Sequence, residues 1–137
     1  MARSVSLSEL PFPAVGERFR LERESGGGLA VVSILHGLRV GTMAVEAAAD
    51  DALFVRSLCI EADHRGYGAG SEAVLLFNEA CRAAGVKLVR TWAPPDRGLA
   101  VYFWIRMGYR PLGGEGPEGG IWFERRPLDP LPTASTD

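Results

Sequence analysis

Cysteine is scarce in this chain: its 137 residues hold only two, Cys59 and Cys81. Neither sits in a paired or metal-ligating spacing, so a disulfide scaffold or a zinc site is not expected. Both read as buried free thiols of a protein in a reducing compartment. Long apolar runs are missing as well. No window approaches the ~20 apolar residues of a membrane span, and the opening stretch has no apolar core of signal-peptide length. A cytoplasmic protein with no membrane partner is expected. Nor is there an excess of positive charge, since 15 Lys and Arg stand against 17 Asp and Glu, which argues against a nucleic-acid partner. What is present is a globular composition, 47% hydrophobic and 23% charged, which excludes wholesale disorder. The 17 glycines and 9 prolines mean many loops, yet fall short of the ~25–30% of low-complexity chains. The length suits one domain with one core.

Hydrophobic periodicity divides the chain in two. Residues 1–16 carry Pro11 and Pro13 with no sustained period and read as an N-terminal arm. Phe19 to Arg23 alternates apolar and charged residues, as a half-buried strand does. Gly26-Gly27-Gly28 then breaks the chain, and strands are expected over Leu29 to Leu35, Val40 to Ala47 and Leu53 to Ile60. From Ser71 the character changes. Val74, Phe77, Cys81 and Ala84 share one face of a helix, with Gly85 placed to cap it. A strand over Val86 to Trp92 leads through Pro94-Pro95-Asp96 to a second helix, Arg97 to Met107, closed by Gly108. Tyr109 to Leu112 and Ile121 to Arg125 make two last strands around the loop Gly113–Gly120. Residues 127–137, with Pro127, Pro130 and Pro132, read as a disordered tail. The order is ββββαβαββ, an α+β fold over residues 17–126.

The segment from Ile60 to Ser71 carries the chemistry. Arg65-Gly66-Tyr67-Gly68-Ala69-Gly70 joins a strand to a helix, where free backbone N–H groups and the helix dipole attract anions. The glycines let the backbone approach a phosphate closely, and Arg65 adds a forked cationic donor. The alternative is a glycine-rich turn without a ligand. Two other phosphate motifs fit poorly. A Walker loop ends in Gly-Lys-Ser/Thr, and this loop has no lysine; a dinucleotide fingerprint wants glycine at Ser71 and an acid where Trp92-Ala93 stands.

Arg65-Gly66-Tyr67-Gly68-Ala69-Gly70 resembles the Arg/Gln-x-x-Gly-x-Gly/Ala signature of the GNAT (GCN5-related N-acetyltransferase) superfamily. Met107-Gly108-Tyr109 is similar to that family's aliphatic-Gly-aromatic helix ending, and the elements between the two motifs stand in the family's order over about residues 29–126. The resemblance implies a mixed, mostly antiparallel sheet flanked by two helices. It implies acetyl-CoA as co-substrate and no metal, with the pyrophosphate held by Arg65, Gly66, Tyr67, Gly68, Ala69, Gly70 and Ser71. The pantetheine arm would lie along Leu58, Cys59 and Ile60, in a split between that strand and the next. It implies an N-acyltransferase in which an amine attacks the thioester directly, with a backbone N–H near Ile60 polarising the carbonyl.

The departures are equally specific. The family's usual tyrosine, four residues before the closing glycine, is here Trp104, and Tyr102 lies about 200° around the helix from it. Arg97 takes the place of a common asparagine. The helices usually found between the first two strands are missing, because Glu24 to Gly28 connect them directly; an open site would favour a large acceptor such as a protein amine over a small molecule. No catalytic acid or base is assigned. Glu46, Glu61, Asp63 and Asp96 are candidate bases, each with the alternative of a solvated surface charge, as for His36 and His64. Cys59 reads as core, since no histidine has a spacing for acyl-enzyme chemistry. Trp92 and Trp122 read as core or interface, and a homodimer is possible. The alternative function is a catalytically silent acyl-CoA-binding module.

Overall fold

The computed structural model describes residues 7–49, 51–94 and 96–130. Its centre is one eight-stranded sheet. A short 3-10 turn, Leu7–Glu9, precedes strand β1, Ala14–Val15. Then follow β2 (Phe19–Arg23), β3 (Leu29–Ser33), β4 (Arg39–Ala49) and β5 (Ala52–Ile60), each antiparallel to the one before. Helix α1 (Ala69–Ala84) crosses to β6 (Leu88–Ala93), parallel to β5. Helix α2 (Gly98–Arg106) leads to β7 (Arg110–Pro111) and β8 (Ile121–Arg125). The spatial order is β1-β2-β3-β4-β5-β6-β8-β7.

The mixed, mostly antiparallel sheet with two helices is thus as expected, with one strand more. The additional strand is β1, inside the stretch read as an arm. Two residues are too few to show a period, and only the register Ala14↔Leu21 and Val15↔Arg20 defines it. The 3-10 turn ahead of it is tied down by Arg23, whose guanidinium donates to the carbonyls of Leu7, Ser8 and Leu10. The direct turn between β2 and β3 is as read: Glu24 N–H donates to the Gly28 carbonyl at 2.9 Å. Gly26 and Gly27 both hold positive φ there, at 109° and 98°, which residues with a Cβ rarely adopt. Strand β3 stops two residues earlier than expected, since a turn begins at Ser33 and Gly37 closes it with φ 66°.

Helix α1 starts at Ala69, two residues before the expected Ser71, because Gly68 in the left-handed region can cap it. Its buried residues Ala69, Ala73, Val74, Phe77, Ala80 and Cys81 form a helical stripe on the sheet. At its other end Gly85 takes φ 83° and Val86 N–H reaches back to the Cys81 carbonyl at 2.9 Å, the glycine cap expected there. Both helices contribute to one core with Leu21, Val31, Met43, Leu53, Val89 and Phe123, so both lie on the same side of the sheet. Each fully buried leucine or phenylalanine contributes about 1.5–3 kcal/mol. Of the residues expected to be a tail, 127–130 are described, and 131–137 lie outside the described residues.

Arg125 closes the far end. Its guanidinium is buried and donates to the carbonyls of Met107, Arg126 and Asp129 at 2.8–3.2 Å. It therefore ties the C-terminus of α2 to the segment after β8. Arg125→Leu leaves those carbonyls without a donor and is expected to cost roughly 2–4 kcal/mol. A lower urea midpoint with an unchanged slope is the expected reading. An unchanged midpoint would show that the staple carries no stability.

Candidate functional site

The parallel ladder between β5 and β6 has three rungs, Ala52↔Leu88, Leu53↔Val89 and Phe54↔Arg90. Beyond Phe54 the two strands diverge. The β4–β5 register shifts between Ala44 and Val45, and such a bulge bends a strand away from its neighbour. Two side chains of β6 fill the beginning of the fork. Thr91 Oγ1 donates to the Val55 carbonyl at 2.9 Å, and Trp92 Nε1 to the Arg56 carbonyl at 3.1 Å. From Ser57 to Ile60, β5 pairs with β4 alone. In an antiparallel ladder alternate residues point their N–H and C=O groups to the other side. In this stretch that side is the fork.

The fork opens into a groove of about 690 Å³ lined by Leu58, Cys59 and Ile60 on one side and by the start of α2 on the other. Asp96, Arg97, Phe103 and Trp104 complete it. A smaller hollow of about 200 Å³ continues the groove over the loop, and Ile60, Arg65, Gly70 and Phe103 line both. Gly66 and Gly68 hold φ of 86° and 82°. A Cβ built on either would meet nothing within 4 Å, so both backbones face open space. Gly68 caps α1 without any side-chain hydrogen bond. The first turn of a helix carries orphan N–H donors and the positive end of the dipole, and here they open onto the hollow. Arg65 Nε donates to the Ile60 carbonyl at 2.9 Å, which pins the loop to the end of β5.

The loop is anchored from its other flank as well. Glu72, in the first turn of α1, accepts from the backbone N–H groups of Arg18 and Phe19 at 2.9 and 2.8 Å. Arg18 Nη1 in turn donates to the Tyr67 carbonyl at 3.2 Å. A Cβ on Gly16 would collide with the Glu72 carboxylate, and one on Gly41 with the Cys59 carbonyl and the Ile60 side chain. Sequence reasoning missed Glu72, Arg18, Gly41 and Phe103. Their partners lie far away in sequence, 54 residues in the case of Arg18 and Glu72, so no local motif announces them.

Of the residues singled out in the sequence, the fold brings Leu58, Cys59, Ile60, Arg65, Gly66, Gly68, Ala69, Gly70 and Ser71 to the groove and its hollow. Tyr67 belongs to the same loop but lines a different cavity on its far flank. Cys59 requires a correction: it is exposed, not buried, because the fork removes the neighbour that would have covered β5. Trp104 is buried, lines the groove, and meets Phe103 and Tyr109 edge-on at 5.1 and 4.9 Å. Tyr102 is 60% exposed under the Arg106 guanidinium and takes no part in the groove. Tyr109 is buried, its hydroxyl has no hydrogen-bond partner among the described residues, and desolvation drives its pKa far up. Among the four candidate bases, Asp96 lines the groove, Asp63 lines the far cavity, and Glu46 pairs with Arg56 at 3.7 Å. Glu61 is exposed. Among the described residues no group of His, Cys, Asp and Glu could hold a metal ion, and no helix is long and apolar enough to cross a membrane.

The two cysteines should differ sharply in reactivity. Burial pushes the Cys81 thiol far up, and a thiol, unlike a thiolate, is a poor nucleophile. A disulfide reagent at pH 8 is expected to titrate Cys59 alone in the native protein and both cysteines after denaturation. Two fast thiols in the native protein would contradict this placement.

No protein-family model matches this sequence, and no curated protein does. Solved structures do match by shape. A GNAT-family acetyltransferase from Bacillus anthracis superposes with a TM-score of 0.68 at 10% identity, over 78% of this chain and 70% of that one. A Bacillus subtilis acetyltransferase in complex with CoA gives 0.66 at 9%, over 80% and 97%. The PaiA N-acetyltransferase of Thermoplasma acidophilum, in complex with coenzyme A, gives 0.62 at 11%, over 72% of this chain. This chain spans only 59% of the Thermoplasma protein. Identities this low speak to shape, and the shape agrees with the motifs: the chain has the fold of the GNAT acetyltransferases.

Proposed function

We propose that this chain is an acyl-CoA-dependent N-acyltransferase, with acetyl as the acyl group and an amine as acceptor. One observation carries the reading: the free edge of β5 and the start of α1, whose glycine cap offers no side-chain hydrogen bond, open onto one continuous groove. A pantetheine arm needs a row of amide partners, and a pyrophosphate needs unpaired N–H donors and a positive dipole. Here the two stand end to end. Structures of this fold with coenzyme A bound, from Bacillus subtilis and Thermoplasma acidophilum, support the same guest. In this reading Leu58, Cys59 and Ile60 hold the arm, and Arg65, Gly66, Gly68, Ala69, Gly70 and Ser71 hold the phosphates.

The chemistry asks little of the protein. A neutral amine attacks the thioester carbonyl, the C–N bond forms, and negative charge gathers on the carbonyl oxygen. A backbone N–H of the β5 edge near Ile60 stabilises that charge. The C–S bond then breaks, CoA leaves as thiolate, and the proton lost by the ammonium goes to solvent or a carboxylate. With Glu24 to Gly28 forming a tight turn between β2 and β3, no helix stands there to enclose the acceptor. An exposed amine on a large molecule suits such a site.

A second reading keeps the CoA and drops the turnover. Trp104 stands where the related enzymes commonly carry a tyrosine, and among the described residues no tyrosine lines the groove. Release of labelled acetyl from acetyl-CoA to a panel of peptide and small amines separates the two. Transfer to any of them supports the enzyme, and none at saturating acetyl-CoA supports a binding module. The shared premise is tested by Gly68→Glu. That side chain would enter open space at the mouth of the hollow, with only the left-handed backbone strain of about 1–2 kcal/mol. A folded variant with CoA affinity lowered at least tenfold is expected by calorimetry; unchanged affinity would exclude the hollow as the phosphate site.

A further inference from the structure

Helix α2 has an outward face that no described residue covers. Its nine residues include a single charged one, Arg106, at the very end. A helix on the surface of a globular protein carries a polar side, and one that is apolar all round is normally buried on every side. Trp104, with Ala100, Val101 and Phe103, packs against the core, which accounts for the inner side of α2. On the outer side Leu99, Tyr102 and Ile105 stand 88%, 60% and 46% exposed. Residues three apart are neighbours along a helix, so these form one stripe. Single exposed apolar residues are ordinary, but a stripe of three on so short a helix is a patch.

The pattern is symmetric about its middle. Tyr102 is the central residue of α2, with Leu99 three positions before it and Ile105 three after. Charges of opposite sign flank the stripe, Asp96 ahead of it and Arg106 behind. Neither has an ion-pair partner among the described residues. Arg106 only lies over the Tyr102 ring, 5.7 Å from its centroid, a weak contact at an exposed site.

We infer that α2 is one half of a two-fold interface, in which a second copy of this chain packs its own α2 antiparallel across the stripe. An axis at Tyr102 sets the two tyrosines against each other and each Leu99 against the partner's Ile105. It also carries the start of each helix past the end of the other. The partner's Arg106 then arrives opposite Gly98, two residues from Asp96, a gap that a long arginine side chain spans. By symmetry this ion pair forms twice, and the opposed helix dipoles favour the same arrangement. Arg97 is the one group that opposes it, and it can turn toward the groove that it lines. Such an isologous contact closes after two copies. A lipid surface suits the stripe less, because α2 has no row of Lys and Arg beside it. Three side chains per copy are a small patch beside the about 800 Å² that each side of a stable complex buries, so the dimer is weak and concentration-dependent.

The interface bears on the groove between β5 and β6. Leu99 lines that groove, so a partner seated on Leu99 adds its own Ile105 and Arg106 to the groove's mouth. On the acyl-CoA reading above, this sets one more cation beside a polyanionic ligand.

Sedimentation velocity over a concentration series tests the interface in the full chain. The wild type is expected to pass from monomer to dimer as concentration rises, and Tyr102→Glu to remain monomeric. Asp96→Arg and Arg106→Asp, which set like charges opposite each other, are each expected to weaken association about tenfold. Mixed in equal amounts, these two variants are expected to associate again, because one chain then offers two cations where the other offers two anions. Thermal melts check that the variants are folded, each change being at an exposed residue. A wild type that stays monomeric throughout would overturn the interface, as would mixed variants that fail to associate. Calorimetry then reads the groove. Tyr102→Glu, outside the groove, is expected to bind coenzyme A severalfold more weakly than the dimeric wild type. Equal affinities would overturn the partner's contribution to the groove. A wild type that dimerises but binds no coenzyme A would overturn the acyl-CoA reading and leave the interface standing.

Discussion

Two parallel strands that stop pairing must find other partners for the groups they no longer offer each other, and β5 and β6 stop after Phe54↔Arg90. Buried backbone groups left unpaired cost about 1–3 kcal/mol each. The sheet meets that demand near the apex with the Thr91 hydroxyl and the Trp92 indole. Beyond them it leaves the edge of β5 to whatever enters from outside. Everything else at the site follows from this interruption: the width of the groove, the exposure of Cys59 on a strand otherwise fit for a core, and the need for α2 to form the opposite wall.

The loop above the fork solves a second problem. Its backbone faces open space at Gly66 and Gly68, where the proposed reading seats the phosphates, so its own hydrogen bonds do not close it there. It is held from both flanks: Arg65 reaches the Ile60 carbonyl, Arg18 the Tyr67 carbonyl, and Glu72 binds the start of β2 to the first turn of α1. The glycines remain free on their outer side because anchoring is delegated to longer side chains. Such division favours a preorganised anion site, since little must be reordered when a ligand arrives.

Much of this was legible in the sequence, and the reasons are local. Phe19–Arg23 and Ile121–Arg125 are strands over the residues read for them; the first alternates apolar and charged residues, and the second is a short run opening on three apolar ones. Gly85 and the triple glycine punctuate as glycine should. The glycine loop was placed between the right strand and the right helix. What escaped notice is set by distance or by absence. Strand β1 is too short to show a pattern, and the clasp of Glu72 on β2 joins residues more than fifty positions apart. Cys59 looked like core because its neighbours are apolar, and only the missing third dimension of the sheet, the fork, exposes it.

The central claim is that the fork between β5 and β6 is where the thiol-bearing arm of acyl-CoA lies. Cys59 is exposed within that groove, so it reports on occupancy without any substitution. The most direct measurement is the alkylation rate of Cys59 by N-ethylmaleimide, followed by mass spectrometry, with and without saturating acetyl-CoA, adenosine triphosphate or nicotinamide adenine dinucleotide, none of which carries a free thiol to consume the reagent. The account predicts that acetyl-CoA slows the reaction at least tenfold while the two nucleotides leave it unchanged. Equal rates in the presence of bound acetyl-CoA would place the arm elsewhere and contradict the account.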